Sequence, residues 1–250
     1  MKRLLIFLIC FTLIFMASVS VNASGNNNTI CASGISVADG IDEDIYALLE
    51  SYKNETYKQD VLSIVNSKRV FKNLLATEET DGTTNLYEIK KVGDTEKGQV
   101  YDATRLTIFL EKEDQGQNQG VVVFCRIRYE EMVANDGETV DRLWYVKGGV
   151  VQSSTDYFCE GLRFRWACYG RSYNGDGTYS TVRSEYISYP STYDVFWPEI
   201  GVTYSRFSTA AYFYLAEGAG YIAGWNKARI MLKHSNSYNY DLEVNCGITG

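Results

Sequence analysis

The chain holds a single histidine, His234, and that scarcity excludes more chemistry than any residue present establishes. Multi-histidine metal sites cannot be assembled, and a serine or cysteine hydrolase with an imidazole base would have to use this one residue. His234 continues the apolar phase of Ile230 and Leu232 at a strand end, where a partly buried or capping histidine is the ordinary role. No C-x-x-C pair accompanies it, so zinc lacks a ligand set, and no cofactor is called for. Positive charge is scarce too: 24 Lys and Arg stand against 31 Asp and Glu, for a net charge of -7. That balance repels phosphate backbones and argues against nucleic acid as a partner. Beyond the first 23 residues no run is apolar enough to span a bilayer as a helix; the nearest, Ser208 to Leu215, is short and broken by Thr209 and by tyrosines.

The long apolar run that does exist lies at the start. Met1-Lys2-Arg3 is a basic n-region, Leu4 to Met16 an apolar h-region, and Val21-Asn22-Ala23 offers the small residues that a signal peptidase reads. Residues 1–23 are therefore expected to be a signal peptide and the protein to be secreted; the competing reading is an uncleaved anchor, which so short an apolar run serves poorly. No Cys stands where a lipid-anchored precursor needs one. Cleavage would take the basic count from 24 to 22 against 31 acidic residues, and the net charge from -7 to -9. The remainder, Ser24 to Gly250, suits one domain with one sizeable core.

Five cysteines follow the cleavage site: Cys31, Cys125, Cys159, Cys168 and Cys246. An odd number leaves at least one thiol unpaired within the chain. Cys159 and Cys168 would stand about 30 Å apart along an extended strand, against the roughly 5.5 Å that a disulfide spans between α-carbons. Cys125 and Cys168 share the core phase of their strands and are the pair expected to bridge. Cys31, in a loose leader, is the expected partner of Cys159, which leaves Cys246 over.

Residues 24–40 are small, polar and Asn-rich, and predict a flexible leader. From Asp42 the spacing of Ile45, Leu48, Leu49 and Tyr52 behind an acidic first turn predicts a helix, which Val61, Ile64 and Val65 continue or repeat. Residues 41–76 are thus expected to form an N-terminal helical segment whose apolar face docks on the core, the competing reading being a membrane surface, which its mixed, acidic polar face suits less well. From residue 77 to 250 the period changes to two. Leu106, Ile108 and Leu110, then Val121, Val123, Cys125 and Ile127, then Leu162, Phe164, Trp166 and Cys168 alternate with polar residues, as do later segments at Ala211 to Leu215, Ala228 to Leu232 and Leu242 to Cys246. Turn signals lie between them, at Asp81-Gly82, residues 115–120, Asn135 to Gly137, Gly148-Gly149, Asn174 to Gly177 and Gly218 to Gly220. There is no internal repeat. The fold class predicted is mainly β: an antiparallel β-sandwich or barrel-like domain preceded by one or two N-terminal amphipathic helices.

Candidate chemistry is thin. With 31 acidic residues a carboxylate pair of the kind glycoside hydrolysis needs exists by chance, drawn from Glu111, Glu113, Asp114, Glu130, Glu131, Glu185, Glu199 and Glu217. Asn174, Asp176 and Thr178 resemble a calcium-binding turn without its later bidentate acid, so a plain hairpin turn explains them better. No residue is assigned a catalytic role. Aromatics are the less ordinary feature, for ten of the chain's 20 tyrosines fall between positions 169 and 221. Tyr186, Tyr189, Tyr193, Trp197, Tyr212 and Tyr214 are the candidate ligand-binding residues, because amphipathic rings beside Asn and Ser stack on sugars and fill protein interfaces at small entropic cost. The plainer account is a face covered by the rest of the protein. Arg126 and Arg128, with Arg163 and Arg165, put four guanidinium groups on polar phases; were their strands neighbours they would form an anion-binding stripe, the plainer account being cross-strand pairing with Glu111, Glu130 or Asp141.

Pattern and composition together predict a secreted, non-catalytic module that binds an extracellular glycan or a cell-surface protein through its Tyr-rich face. Two other readings stand beside it. One is a secreted membrane-active or pore-forming protein, with membrane contact the less favoured, and the other is a carboxylate-based glycoside hydrolase.

Overall fold

Apolar and polar alternation places successive side chains on opposite faces of a pleated strand, and from Thr83 onward most of the described residues lie in strands. The computed structural model describes residues 29–53, 83–110, 119–153, 157–215, 220–232 and 235–250. The expected signal peptide, His234 and most of the expected helical segment lie outside them.

Four long strands, β3 (Thr83–Asp94), β4 (Gly98–Leu110), β5 (Gln119–Val133) and β6 (Thr139–Gln152), form an antiparallel meander. β7 (Tyr157–Tyr173) starts a second arm. One of its edges carries β8 (Tyr179–Ile187) and β9 (Val195–Phe196), and the other carries β12 (Tyr221–Leu232), which in turn pairs with β13 (Ser235–Thr249). β11 (Phe213–Tyr214) joins the arms, for Phe213 faces Asp141 of β6 on one side and Ser172 of β7 on the other. Arg171 pairs with both Tyr214 and Val182, and Ala167 with both Ala223 and Tyr186, so β11 and β12 share one edge of β7 opposite β8. They act as one interrupted strand, with β6 on its first part and β13 on its second. The sheet therefore splits and curls into an antiparallel half-barrel. Between the arms lies the main core, with Cys125, Ile127 and Val146 from one side and Leu162, Phe164, Trp166, Ala228 and Val244 from the other.

Gly148-Gly149 reads as a turn in the sequence but lies inside β6. A Cβ at Gly148 would stand 2.5 Å from Asn226 Nδ2 and 2.7 Å from Phe164 Cε1, so the residue is small because the opposite arm presses on it.

On the outer face of the meander sits the one helix among the described residues, α1 (Glu43–Lys53). Its spacing delivers Ile45, Leu48 and Leu49 onto Leu86, Leu106, Ile108, Val122 and Phe124, a second core in which each buried aliphatic side chain contributes about 1.5–3 kcal/mol. Glu43 and Asp44 in the first turn suit the helix dipole. The continuation expected through Val61, Ile64 and Val65 falls outside the described residues. The expected flexible leader needs correction over residues 29–40. β1 (Ile30–Cys31) pairs with β9, and β2 (Ile35–Ala38) with β10 (Thr203–Phe207), which lies along β6. Cys31, Ile35 and Ile41 are buried there; a few apolar residues suffice where a neighbouring strand supplies the ladder, and composition averages that signal away.

Both expected disulfides are absent among the described residues, where all five cysteines are free and buried. Cys125 and Cys168 do point into the core, but from β5 and β7, which are not paired and face each other across layers that pack about 10 Å apart. Cys31 pairs with Val195, which pairs with Leu162, so β9 separates Cys31 from the strand of Cys159 by two strand spacings, about 9–10 Å. Cys246, expected to be left over, is free like the other four and is an electrostatic neighbour of Cys125.

Candidate functional site: the outer face of the second arm

The polar phase of β7 and β12 points away from the core, and the pairs Arg165 with Trp225 and Arg163 with Lys227 lie there side by side. β13 adds Asp241 and Glu243, opposite Arg229 and Lys227. Asp241 lies 3.0 Å from both Lys227 Nζ and Arg229 Nη1 and 3.7 Å from Arg163 Nη2, while Glu243 lies 3.6 Å from Arg165 Nη2. Burial pushes the Asp241 carboxyl up, but hydrogen bonds from Arg229 and Lys227 outweigh it and hold the group below its ordinary range.

The chain between β8 and β9 folds back over these cations and covers them with rings. Arg165 lies 4.9 Å from the centre of the Tyr189 ring and 4.1 Å from that of Trp225, and Arg163 lies 5.5 Å from that of Tyr193. Tyr193 also meets Phe196 edge to face at 5.0 Å and donates to Glu160 Oε2 at 2.8 Å. Burial, then that carboxylate, pushes its phenol up to about 12. The Tyr189 phenol is raised by burial and by Glu243.

One buried carboxylate holds this segment. The main-chain N–H of Asp194 donates to Leu162 at 2.8 Å, and its carbonyl accepts from Ala32 at 2.7 Å. Its side chain accepts the Phe164 N–H at 2.6 Å and lies 3.1 Å from Arg206 Nη1. Burial raises its pKa in spite of these partners.

Beyond Asp194 the chain runs through β9 to Trp197, the one non-glycine residue with positive φ among those described, at 52°. Such backbone costs on the order of 1–2 kcal/mol for a residue with a Cβ. Hydrogen bonds clamp it from both sides: Trp197 N–H donates to Glu160 at 2.9 Å and its carbonyl accepts from Thr29 Oγ1 at 2.9 Å. The indole stacks on Phe158 with centroids 5.6 Å apart and stays 46% exposed. Trp197 and Phe158 stand at a cavity of about 200 Å³ whose wall also includes Val150, Cys159, Pro198 and Ile200. Burial pushes the Cys159 thiol up to about 12, so it is no nucleophile at neutral pH. Among the described residues no three His, Cys, Asp or Glu side chains gather as metal ligands. A ring half open to solvent beside fixed polar groups can hold a ligand by stacking.

Of the residues singled out by sequence, Tyr189, Tyr193, Trp197, Arg163 and Arg165 share this face. The others are dispersed. Tyr186 lies on β8 at the rim, 64% exposed. Tyr212 and Tyr214 lie beside β6, packed with Tyr173 and Val140, and Tyr212 donates to Glu130 at 2.5 Å beneath the Arg142 guanidinium. Arg126 and Arg128 lie on the opposite outer face, so the two Arg pairs form no common stripe. Arg126 reaches Asp42, Asp44 and Asp102, and Arg128 reaches Asp102 through two bonds of 2.7 Å. Asp176 accepts from the Thr178 N–H at 2.9 Å, closing a hairpin turn. Sequence reading missed Phe158, Trp225, Lys227, Arg229 and Asp194. Trp225, Lys227 and Arg229 were within reach of it as the polar phase opposite Ala228 and Ile230, whereas Asp194 declares itself only through its burial. No protein-family model, no curated protein and no solved structure matches the chain.

Proposed function

We propose that the protein is a secreted, non-catalytic binding module that takes an extracellular glycan on the outer face of its second arm. Trp197 carries this reading: a strained, clamped backbone holds a half-exposed indole at the mouth of a cavity, the kind of local cost that persists where geometry serves a ligand. Trp197 and Phe158 offer a flat apolar platform for the C–H face of a sugar, and Tyr189, Tyr193 and the paired charges of Arg163, Arg165, Asp241 and Glu243 continue the face with groups that order hydroxyls.

A glycan array probed with the mature protein, followed by calorimetry on the strongest hit, tests the reading. Trp197→Ala is expected to lower affinity at least tenfold with the circular dichroism of the fold retained. Binding that ignores this substitution, release of reducing sugar from the hit, or leakage of liposomes without glycan binding would each displace it.

A further inference from the structure

β8 pairs with β7 along one edge, from Trp166 with Ile187 to Tyr173 with Tyr179, and among the described residues no strand pairs with its other edge. Its middle, Thr181 to Ser184, is exposed, with Val182 at 54% and Tyr186 beyond it at 64%. An open edge of nine residues offers main-chain donors and acceptors to any strand that meets it. Proteins commonly block such edges with charge of one sign, with proline or with a bulge. β8 has such a shift of register near its start, between Tyr179 and Val182, and in the regular part beyond it carries one cation and one anion, Arg183 and Glu185, on either side of Ser184.

That order is self-complementary. When two β8 strands run antiparallel about a two-fold axis at Ser184, Ser184 meets its own copy, Arg183 meets Glu185 of the second copy, and Val182 meets Tyr186 of the second copy. Two opposite-charge pairs and two pairs of β-branched with aromatic residues form at once, the combinations that favour cross-strand neighbours. Moving the axis to Arg183 or to Glu185 would set like charges against each other. The two kinds of pair lie on separate faces. Arg183 and Glu185 point to the side where Phe213 and Ala211 lie, with the Arg183 guanidinium 5.9 Å from the Phe213 ring and Glu185 Oε2 accepting the Ala211 N–H at 3.1 Å. Val182, Ser184 and Tyr186 take the other face. Within one chain Arg183 and Glu185 already touch, so dimerisation redirects an existing pair and strands no charge. An isologous contact of this kind closes on itself and stops at two copies.

The geometry points to β8 as the seam of a homodimer, in which two copies of this chain pair antiparallel through Ser184 and extend the second arm into one continuous sheet.

Sedimentation equilibrium and oxidative cross-linking on the mature chain, with circular dichroism and urea midpoints as controls for folding, test this through four variants. The unaltered chain is expected to show a concentration-dependent monomer–dimer equilibrium. Arg183→Glu should weaken it at least tenfold, and adding Glu185→Arg to that variant should restore it. Under oxidation Ser184→Cys should yield a disulfide-linked dimer, since directly opposed α-carbons in such a pair stand about 4.5–5.5 Å apart, whereas Val182→Cys, opposite Tyr186, should not. A monomer at every concentration, equal cross-linking of the two thiol variants, a charge reversal that the second reversal fails to rescue, or a monomer that takes up an unrelated extended peptide along β8 would each overturn the assignment.

Discussion

The ring of Tyr193 rests on the backbone of Gly161, so closely that a Cβ there would stand 2.6 Å from both Cδ atoms of the ring. Nothing larger than hydrogen fits. Gly161→Ala is therefore expected to lift Tyr193 off β7, to cost about 1–3 kcal/mol of stability, and to weaken the proposed glycan binding along with it. Urea unfolding and calorimetry on the one variant check both effects, and an unchanged midpoint would show that the ring moves aside freely.

Arg126 anchors the start of α1. Its side chain and that of Asp102 are each only 2% exposed, and it lies 2.6 Å from Asp42 and 2.9 Å from Asp44. Arg126→Met would leave Asp102 buried with Arg128 as its remaining partner, and a loss of about 3–5 kcal/mol is expected from breaking a buried pair on one side. Limited proteolysis should then cut near α1 first. Lys91→Ala, at the exposed pair with Asp94, should stay within about 0.5 kcal/mol of the parent chain.

Two aspartates act on acid stability with opposite signs. Asp241 has a folded pKa below its ordinary 3.8, so its contribution is present above that value and fades as pH falls through the folded one. Asp194 has a folded pKa above 3.8, so its contribution is complete below that value and is lost as pH rises through the folded one. Asp194→Asn should make the urea midpoint rise more steeply, or fall less, than in the parent chain as pH rises above about 4. Parallel curves for the two proteins would contradict this assignment.

All five described thiols are buried, and burial pushes those of Cys159 and Cys246 up to about 12. Ellman's reagent should find none of the five reactive in the folded protein at neutral pH and all five reactive in denaturant. A non-reducing digest that yields Cys125 linked to Cys168 would refute the free state.

The strands were legible because period-two alternation is a local signal: Val121 to Ile127 and Leu162 to Cys168 announce both their extent and their inward face. The α1 face was legible for the same reason at helical period. Pairing between distant strands was not. That β9 would stand between Cys31 and β7, or that the two Arg pairs would point from opposite faces, depends on topology, which alternation does not encode. The Gly148-Gly149 dipeptide misled because the same residue type serves tight turns and close approach between layers, and only the neighbours across the core tell them apart. The tyrosines of the connecting segment are visible in the sequence as a cluster, while the carboxylate that suspends them, Asp194, looks like any surface acid.

Residues 35–38 take their strand pairing, among the described residues, from residues 203–206, and the Ala32 N–H donates to Asp194. The earliest part of the described chain is thus fixed by some of the latest, across more than 160 positions. During synthesis it has to wait until β10 arrives. Chains whose decisive contacts are this distant in sequence fold on the millisecond-to-second scale rather than in microseconds, and any premature folding of the meander proceeds without β2 to close its flank.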